Sequence, residues 1–434
     1  MRGTLSLAFS SYASRVRMFS SNARLFLLSS ALASLQFGVF QVVLALYVIA
    51  LGHTRDFLGV MTGFAALVTG IASLPAAAVA RATGHRKALL VGTAIAALGA
   101  VGVSLSSTRP TLLLFQGLLG AGTAFSYVSA APFLAENSGD DERAYLFGVN
   151  STMVLAVGVV GNALGGVLPG VSASVAPRLL SPGAAALRAT MMIGAIFLAA
   201  SAAPLLALKE GRSHESRAGG GAASPECPTR AYRPGQKRFL LVWQFVATSV
   251  VMSLGAGIMV PFLAVFLADR GASQSMIGLV FAGSMVMTMA GTLLAPVLAE
   301  RWGKVKTVAY TQLASVPFLL GMAFAGDILF IVPAMLVRSA LMNMAGPLDS
   351  SFSMEAVSPD DRAILSSLRG MAWNLAWAGG SVAGGFMTER FGYTVPFATT
   401  AALYLASAVM YVLFFSKLEL RLSGVARGCP LDGR

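Results

Sequence analysis

Two ionisable side chains lie inside an apolar stretch of the chain, where a charge is costly to bury. Arg338 lies near the middle of residues 328–352, and Asp349 follows eleven residues later. In a helix the two side chains would share one face about 16 Å apart, too far to pair directly. A guanidinium at this depth needs an anion, carbonyl oxygens or water. We therefore expect Arg338 to contact an anionic or strongly polar part of a ligand, with backbone carbonyls of a neighbouring helix as the alternative.

Other polar side chains in apolar stretches could also contact a small molecule. Asp349 is the candidate carboxylate for carrying a proton, since carboxylates within apolar spans commonly serve in proton relays. Two tryptophans four residues apart would share a helix face and could flank an apolar ligand. Each of these side chains is equally compatible with ordinary packing between helices. The further candidates are Gln36, Gln41, Gln116, Asn343, Trp373, Asn374 and Trp377.

The composition indicates that helices in a lipid bilayer position these residues. The 434 residues are 56% hydrophobic and 11% charged, whereas a soluble domain carries about 25% charged residues. Uncharged apolar runs of 18 or more residues are typical of membrane spans. We predict an all-α membrane protein with twelve transmembrane helices, at residues 25–51, 58–80, 88–107, 111–135, 145–168, 189–208, 239–268, 276–299, 307–325, 328–352, 364–388 and 393–416.

The longest polar stretch divides these helices into two sets of six. It contains the sequence HESRAGGGAASPECPTRAYRPGQKR, which is rich in glycine, proline and arginine and has no apolar periodicity. The predicted parts are a cytoplasmic tail at 1–24, a six-helix bundle at 25–208, a cytoplasmic linker at 209–238, a second bundle at 239–416 and a cytoplasmic tail at 417–434.

The basic residues predict the orientation in the membrane. Of the 31 Lys and Arg residues, 24 lie in segments on the same side of the membrane as the linker, and six lie on the other side. The count of 24 assigns Arg369 to the segment between the tenth and eleventh helices. Cytoplasmic segments carry such an excess, so both termini are expected in the cytoplasm. The same rule accounts for the net charge of +13 without nucleic acid.

An internal repeat relates the two sets of helices. When the first set is shifted by 219 residues, eight of its 21 glycines meet a glycine, whereas chance predicts about two. This shift, the repeat interval, also aligns ENSGDDERA at 136–144 with EAVSPDDRA at 355–363. Because six is an even number, the two bundles would have the same orientation, with a pseudo-twofold axis along the membrane normal.

Short motifs resemble those of the major facilitator superfamily of secondary transporters, over essentially the full length. The stretch LAERWGKVK at 298–306 is similar to the family loop G-x-L-A-D-R-x-G-R-R-K, and VARATGHRK at 79–87 is its first-half counterpart, with Arg81 in the acidic position. QGLLGAG at 116–122 resembles R-x-x-x-G-x-G with Gln116 in place of arginine. GNALGG at 161–166 is similar to the exporter-associated G-P-x-x-G-G with Asn162 in place of proline.

The resemblance implies two pseudo-symmetric bundles that rock against each other, with substrate near the midplane and the tenth helix lining a central cavity. Charges at the cytoplasmic helix ends would then hold and release a closed state, each pair contributing about 0–1 kcal/mol. Their alternative role is to fix the topology as ordinary helix-end charges. The predicted gating residues are Arg81, Arg86, Glu136, Arg143, Glu300, Arg301, Glu355 and Arg362.

The favoured function is secondary active transport of a small organic solute, with export of amphipathic or drug-like compounds by proton antiport as the preferred form. Uptake or flipping of an anionic solute or lipid is an alternative that Arg338 would suit. A non-transporting receptor or scaffold on the same fold is another. An enzyme is not expected, because His53, His85 and His214 lie in predicted loops and no metal or nucleophile motif is present.

The remaining expectations concern partners and location. We expect a solute, protons and the bilayer as partners, a monomer, and no nucleic acid. No metal or cofactor is expected, since Cys227 and Cys429 lack metal-ligand spacing. The predicted location is a bacterial inner (plasma) membrane. Residues 1–24 could be a mitochondrial transit peptide, but a cytoplasmic tail with an interfacial helix and no cleaved signal is favoured.

Overall fold

The computed structural model describes residues 19–175, 183–208 and 237–427. The greater part of the predicted N-terminal tail, most of the predicted linker with His214 and Cys227, and the terminal segment with Cys429 lie outside this part. Every structural statement below concerns the described residues.

Twelve long helices make up the described chain, which contains no β-strand. The sixth consists of two consecutive helices and the seventh contains a 3-10 turn at Val260–Phe262. The helices are α1 Ser21–Ala50, α2 Arg55–Thr83, α3 His85–Leu105, α4 Arg109–Glu136, α5 Asp140–Val175, α6 Ala184–Ala200 with Ala202–Leu206, α7 Lys237–Met259 with Leu263–Asp269, α8 Gln274–Trp302, α9 Lys304–Phe324, α10 Ile328–Ala356, α11 Pro359–Phe391 and α12 Thr394–Arg427.

Eleven of these helices are long and apolar enough to cross a membrane. The remaining one is α11, where glycines, tryptophans, an asparagine and Arg369 lower the mean hydropathy. Its 33 residues nevertheless span about 50 Å, more than a hydrocarbon layer requires. The structure therefore confirms the predicted all-α membrane fold with twelve helices.

The helix starts recur at the repeat interval that the sequence predicts. Helices α2, α3 and α4 begin at Arg55, His85 and Arg109, and α8, α9 and α10 each begin one repeat interval later. The turns before α3 and α9 use Gly84 and Gly303, whose φ angles are 86° and 84°. A side chain is strained at such a φ, so glycine fixes the turn at the same place in both halves.

Close packing of helices also repeats. A Cβ on Gly38 of α1 would lie 2.7 Å from the backbone of Gly161 on α5. A Cβ on Gly257 of α7 would lie 3.2 Å from the Cα of Gly380 on α11. Small residues permit this approach of backbones in lipid, where dispersion and packing hold helices together.

The chain forms two compact units. Of the described residues, those up to 208 together with Pro261–Val286 form one unit, and 237–260 together with 287–427 form the other. In the first unit Phe26 packs against Phe133, with ring centroids 5.3 Å apart. In the second unit Phe245 packs against Phe352 at 6.0 Å, which is the same pair one repeat interval further along the chain.

Several helices are longer than predicted. Helix α12 continues to Arg427 instead of ending at 416, and α11 begins at Pro359 rather than at 364. His85, predicted in a loop, is the first residue of α3. The reason is that apolar content marks only the lipid-facing part of a helix, whereas backbone hydrogen bonding continues through polar residues at its ends.

Candidate functional site

Arg338 is a buried cation without a partner among the described residues. It lies on α10 in the second unit, its side chain is 5% exposed, and its Nε is enclosed without an acceptor. Its guanidinium makes no hydrogen bond or ion pair with any residue that the structure describes. Backbone carbonyls, the alternative considered above, thus do not hold it. An unpaired buried charge is costly unless an anion or water supplies acceptors.

The other second-unit candidates are more exposed and partly engaged. Asn343 donates from Nδ2 to Thr288 Oγ1 at 3.2 Å and to the Ser339 carbonyl at 2.9 Å. Trp373 and Trp377 of α11 stack with ring centroids 6.5 Å apart and 28° between their planes. Trp377 lies 18 residues after the start of α11, and Arg338 lies 18 residues before the end of α10. At 1.5 Å per residue, both are about 27 Å from the helix ends on the linker side.

Asn374 donates to the carbonyl of Gly370 on its own helix, so its amide nitrogen is already bonded. Of the first-unit amides, Gln36 and Gln116 are buried and Gln41 is half-buried. Gln36 and Gln116 are both 7% exposed. The Oε1 atoms of Gln41 and Gln116 are enclosed and accept no hydrogen bond from the described residues.

Asp349 is part of a charged cluster in the second unit. Its carboxylate forms an ion pair with Arg369 of α11 and accepts a hydrogen bond from Tyr411 Oη at 2.9 Å. Arg369 also donates to Ser249 and Ser353, both at 3.0 Å. The two charged side chains are only 18% and 20% exposed. The cluster joins α7, α10, α11 and α12 through one ion pair and its hydrogen bonds.

The glutamates of the repeated acidic segments each contact a base at the start of the neighbouring helix. Glu136 Oε1 lies 3.4 Å from His85 Nε2 in the first unit. Glu355 Oε1 lies 2.5 Å from Lys304 Nζ in the second. Neither base was among the predicted gating residues.

The arginines of the same segments fold back on the preceding helix. Arg143 donates to the carbonyl of Ala135 at 3.4 Å, and Arg362 to that of Met354 at 2.9 Å. Cations near a helix C-terminus stabilise its unpaired carbonyls. Arg86 similarly donates to the Leu206 carbonyl at 3.1 Å. The other predicted gating residues, Arg81, Glu300 and Arg301, are exposed.

Contacts at the opposite helix ends join parts of both sequence halves within the first unit. Arg55 of α2 pairs with Asp269 of α7 at 2.6 Å. Gly166 of α5 and Gly278 of α8 pack so closely that a Cβ on Gly278 would lie 2.5 Å from the Cα of Gly166. These helix ends carried no predicted gating residue.

A family model described as the Major Facilitator Superfamily matches residues 26–266 and 245–427. The chain belongs to the major facilitator superfamily. This confirms the resemblance stated above and the expectation of a transporter rather than an enzyme. No curated protein sequence is significantly similar to the chain.

Solved structures share the superfamily fold with this chain. A bacterial homologue of the human lysosomal transporter Spinster, inward-facing and unoccupied, is 17% identical with a TM-score of 0.69, covering 94% of this chain and 96% of that one. The nucleoside transporter NupG (D323A mutant) is 15% identical with a TM-score of 0.71, covering 91% and 100%. A D-xylose-proton symporter is 15% identical with a TM-score of 0.66, covering 90% and 97%.

For this superfamily member, sequence reasoning missed Arg369 as a site residue because it was counted in a cytoplasmic segment. It lies ten residues after the start of α11, and its side chain turns toward Asp349. The position of Arg369 within α11 could have identified it, because an arginine two to three turns after the start of a transmembrane helix lies at membrane depth. His85 was missed because its partner is distant in sequence.

Proposed function

We propose that the chain is a secondary active transporter of an amphipathic organic solute by alternating access, with an anionic or strongly polar group of the solute bound at Arg338. Arg338 carries the proposal, because a buried guanidinium without a protein partner provides binding energy to an anion that supplies the missing acceptors. The tryptophans at a similar depth suit the apolar part of such a solute.

Export is the favoured direction, supported by the similarity of GNALGG at 161–166 to the exporter-associated motif. Proton antiport would use Asp349, the candidate proton carrier. Uptake or flipping of an anionic solute or lipid is the second candidate, and Arg338 supports it equally. The proposed setting is a bacterial inner membrane with both termini in the cytoplasm, supported by the distribution of basic residues.

The decisive variant is Arg338→Leu, because Leu119 occupies the equivalent position of the first half. We expect solute affinity to fall about 10- to 100-fold, since a hydrogen bond to a charged group contributes about 1.5–3 kcal/mol. The thermal stability of the purified protein should stay equal or rise, because an unpaired buried charge is replaced by an apolar side chain. The loss of affinity is measured as flux in proteoliposomes. The solutes compared are indoleacetate and its neutral amide indoleacetamide, followed by larger amphiphiles in similar charged and neutral pairs.

The conservative control is Arg338→Lys, which keeps the charge but loses the planar fork that binds a carboxylate through two hydrogen bonds. It should retain part of the preference for anions. Unchanged flux in Arg338→Leu would exclude the proposed role, and lowered stability together with unchanged affinity would make Arg338 a structural residue. Flux measured with the pH gradient in either direction separates export from uptake.

A further inference from the structure

Each half of the chain has an ion pair at the same place in the repeat, but the basic residue differs. It is a histidine in the first half and a lysine in the second. His85 begins α3 and contacts Glu136, which ends α4, with Nε2 and Oε1 3.4 Å apart. Lys304 begins α9 and contacts Glu355 near the end of α10, with Nζ and Oε1 2.5 Å apart. Both members of the second pair lie one repeat interval after those of the first.

The two pairs have similar exposure, although Lys304 and Glu355 also share hydrogen bonds with Ser351 Oγ. The difference that bears on pH is the base. The glutamate side chains are 59% and 55% exposed, and the base side chains are 21% and 31% exposed. Lysine keeps its charge across the physiological range, whereas histidine changes charge between about pH 5 and 8. His85 therefore provides Glu136 with a cation only at the acidic end of this range. Lys304 provides one to Glu355 throughout.

Of the other ionisable side chains that the structure describes at these helix ends, five are cations. Among the described residues, Glu136 is the acid in contact with His85, with Nε2 and Oε1 3.4 Å apart. The other described ionisable side chains at these helix ends are Arg24 on α1, Arg81 on α2, Arg86 and Lys87 on α3, and Glu142 and Arg143 on α5.

We propose that His85 is a proton-sensitive latch on Glu136. At acidic pH protonated His85 holds the carboxylate of Glu136 against the start of α3. As pH rises and His85 loses its proton, Glu136 is released to contact other cations during the transport cycle. This regulation rests on the proposed alternating-access function, in which Glu136 is a gating residue. The second half does not respond, because Lys304 holds Glu355 at every physiological pH.

The latch itself can be tested without a transported solute. Isotope-labelled histidines are few enough to follow by NMR, since the chain has only three, and the loss of one signal in His85→Gln assigns His85. Glu136→Gln should change the chemical shift of the His85 ring more at pH 5.5 than at pH 8, because the contact is with the protonated ring. Glu142→Gln, a neighbouring acid that accepts a hydrogen bond from the Gly139 N–H, should cause a smaller change. Equal changes in the two variants overturn the latch.

Regulation is tested by three substitutions in proteoliposomes, with the solute found in the screen above. With the pH gradient across the bilayer held constant, His85→Lys and His85→Gln should each lack the step in flux that His85 adds between pH 5.5 and 8, His85→Lys behaving as the protonated form and His85→Gln as the neutral one. Lys304→His should add a second pH-dependent step. A wild-type pH profile in His85→Lys overturns the regulation. If no solute is carried at all, the proposed function fails, while the NMR measurement still decides the latch.

Discussion

Replacing Gly278 with leucine is expected to abolish transport while leaving membrane insertion intact. A Cβ at this position would lie 2.5 Å from the Cα of Gly166 and 2.7 Å from the Asn162 carbonyl oxygen. Backbone atoms of α5 cannot yield as the tip of a side chain can, so the two helices must separate. Overpacking costs about 1–3 kcal/mol. That is enough to shift an equilibrium between two conformations of the protein by about 5- to 150-fold.

In the proposed cycle this separation opens the helix ends that Arg55 and Asp269 also join. We therefore expect a cysteine introduced at Ser275, which contacts the Gly166 carbonyl, to react faster with an impermeant maleimide in Gly278→Leu. Cys227 and Cys429 are replaced by serine for this measurement. Flux in proteoliposomes should fall to background.

The matched control is Gly170→Leu, on the same helix as Gly166 and one turn further along. A Cβ there meets no atom within 4 Å, so transport and labelling should stay at the wild-type level. Full transport in Gly278→Leu would show that this close packing is not needed for the cycle.

The second large effect concerns the ion pair of Asp349 and Arg369. Arg369→Met should lower the free energy of unfolding by about 2–4 kcal/mol, because it leaves a mostly buried carboxylate without its cation. The double variant Asp349→Asn with Arg369→Met should recover most of this loss, since no unpaired charge remains. Thermal unfolding of the purified protein measures both changes.

The Lys304–Glu355 pair provides the comparison at the helix ends. Its members are 31% and 55% exposed, so Lys304→Met should cost less than about 1 kcal/mol. Equal losses in Lys304→Met and Arg369→Met would show that burial does not strengthen the Asp349 cluster.

The same variants bear on proton coupling. The carboxylate of Asp349 contacts Arg369 and accepts a hydrogen bond from Tyr411. If Asp349 carries the coupling proton, the double variant restores stability and yet loses stimulation of flux by a pH gradient. Flux that still follows the gradient would assign coupling to another group.

Much of the fold could be predicted from the sequence because the bilayer restricts the solutions. Apolar runs can only form helices there, and every helix must be long enough to cross. The repeat interval predicted where helices of the second half begin, since glycines such as Gly84 and Gly303 fix the turns.

The partners of the charged side chains were decided by the tertiary structure alone. The sequence marked Arg338 and Asp349 as costly charges, but whether each meets an opposite charge depends on the rotation and sliding of neighbouring helices. A shift of one residue turns a side chain by about 100°, and apolar periodicity does not specify that register in lipid. Folding therefore paired Asp349 with Arg369, placed His85 beside Glu136, and left Arg338 buried with no partner in the described part of the chain.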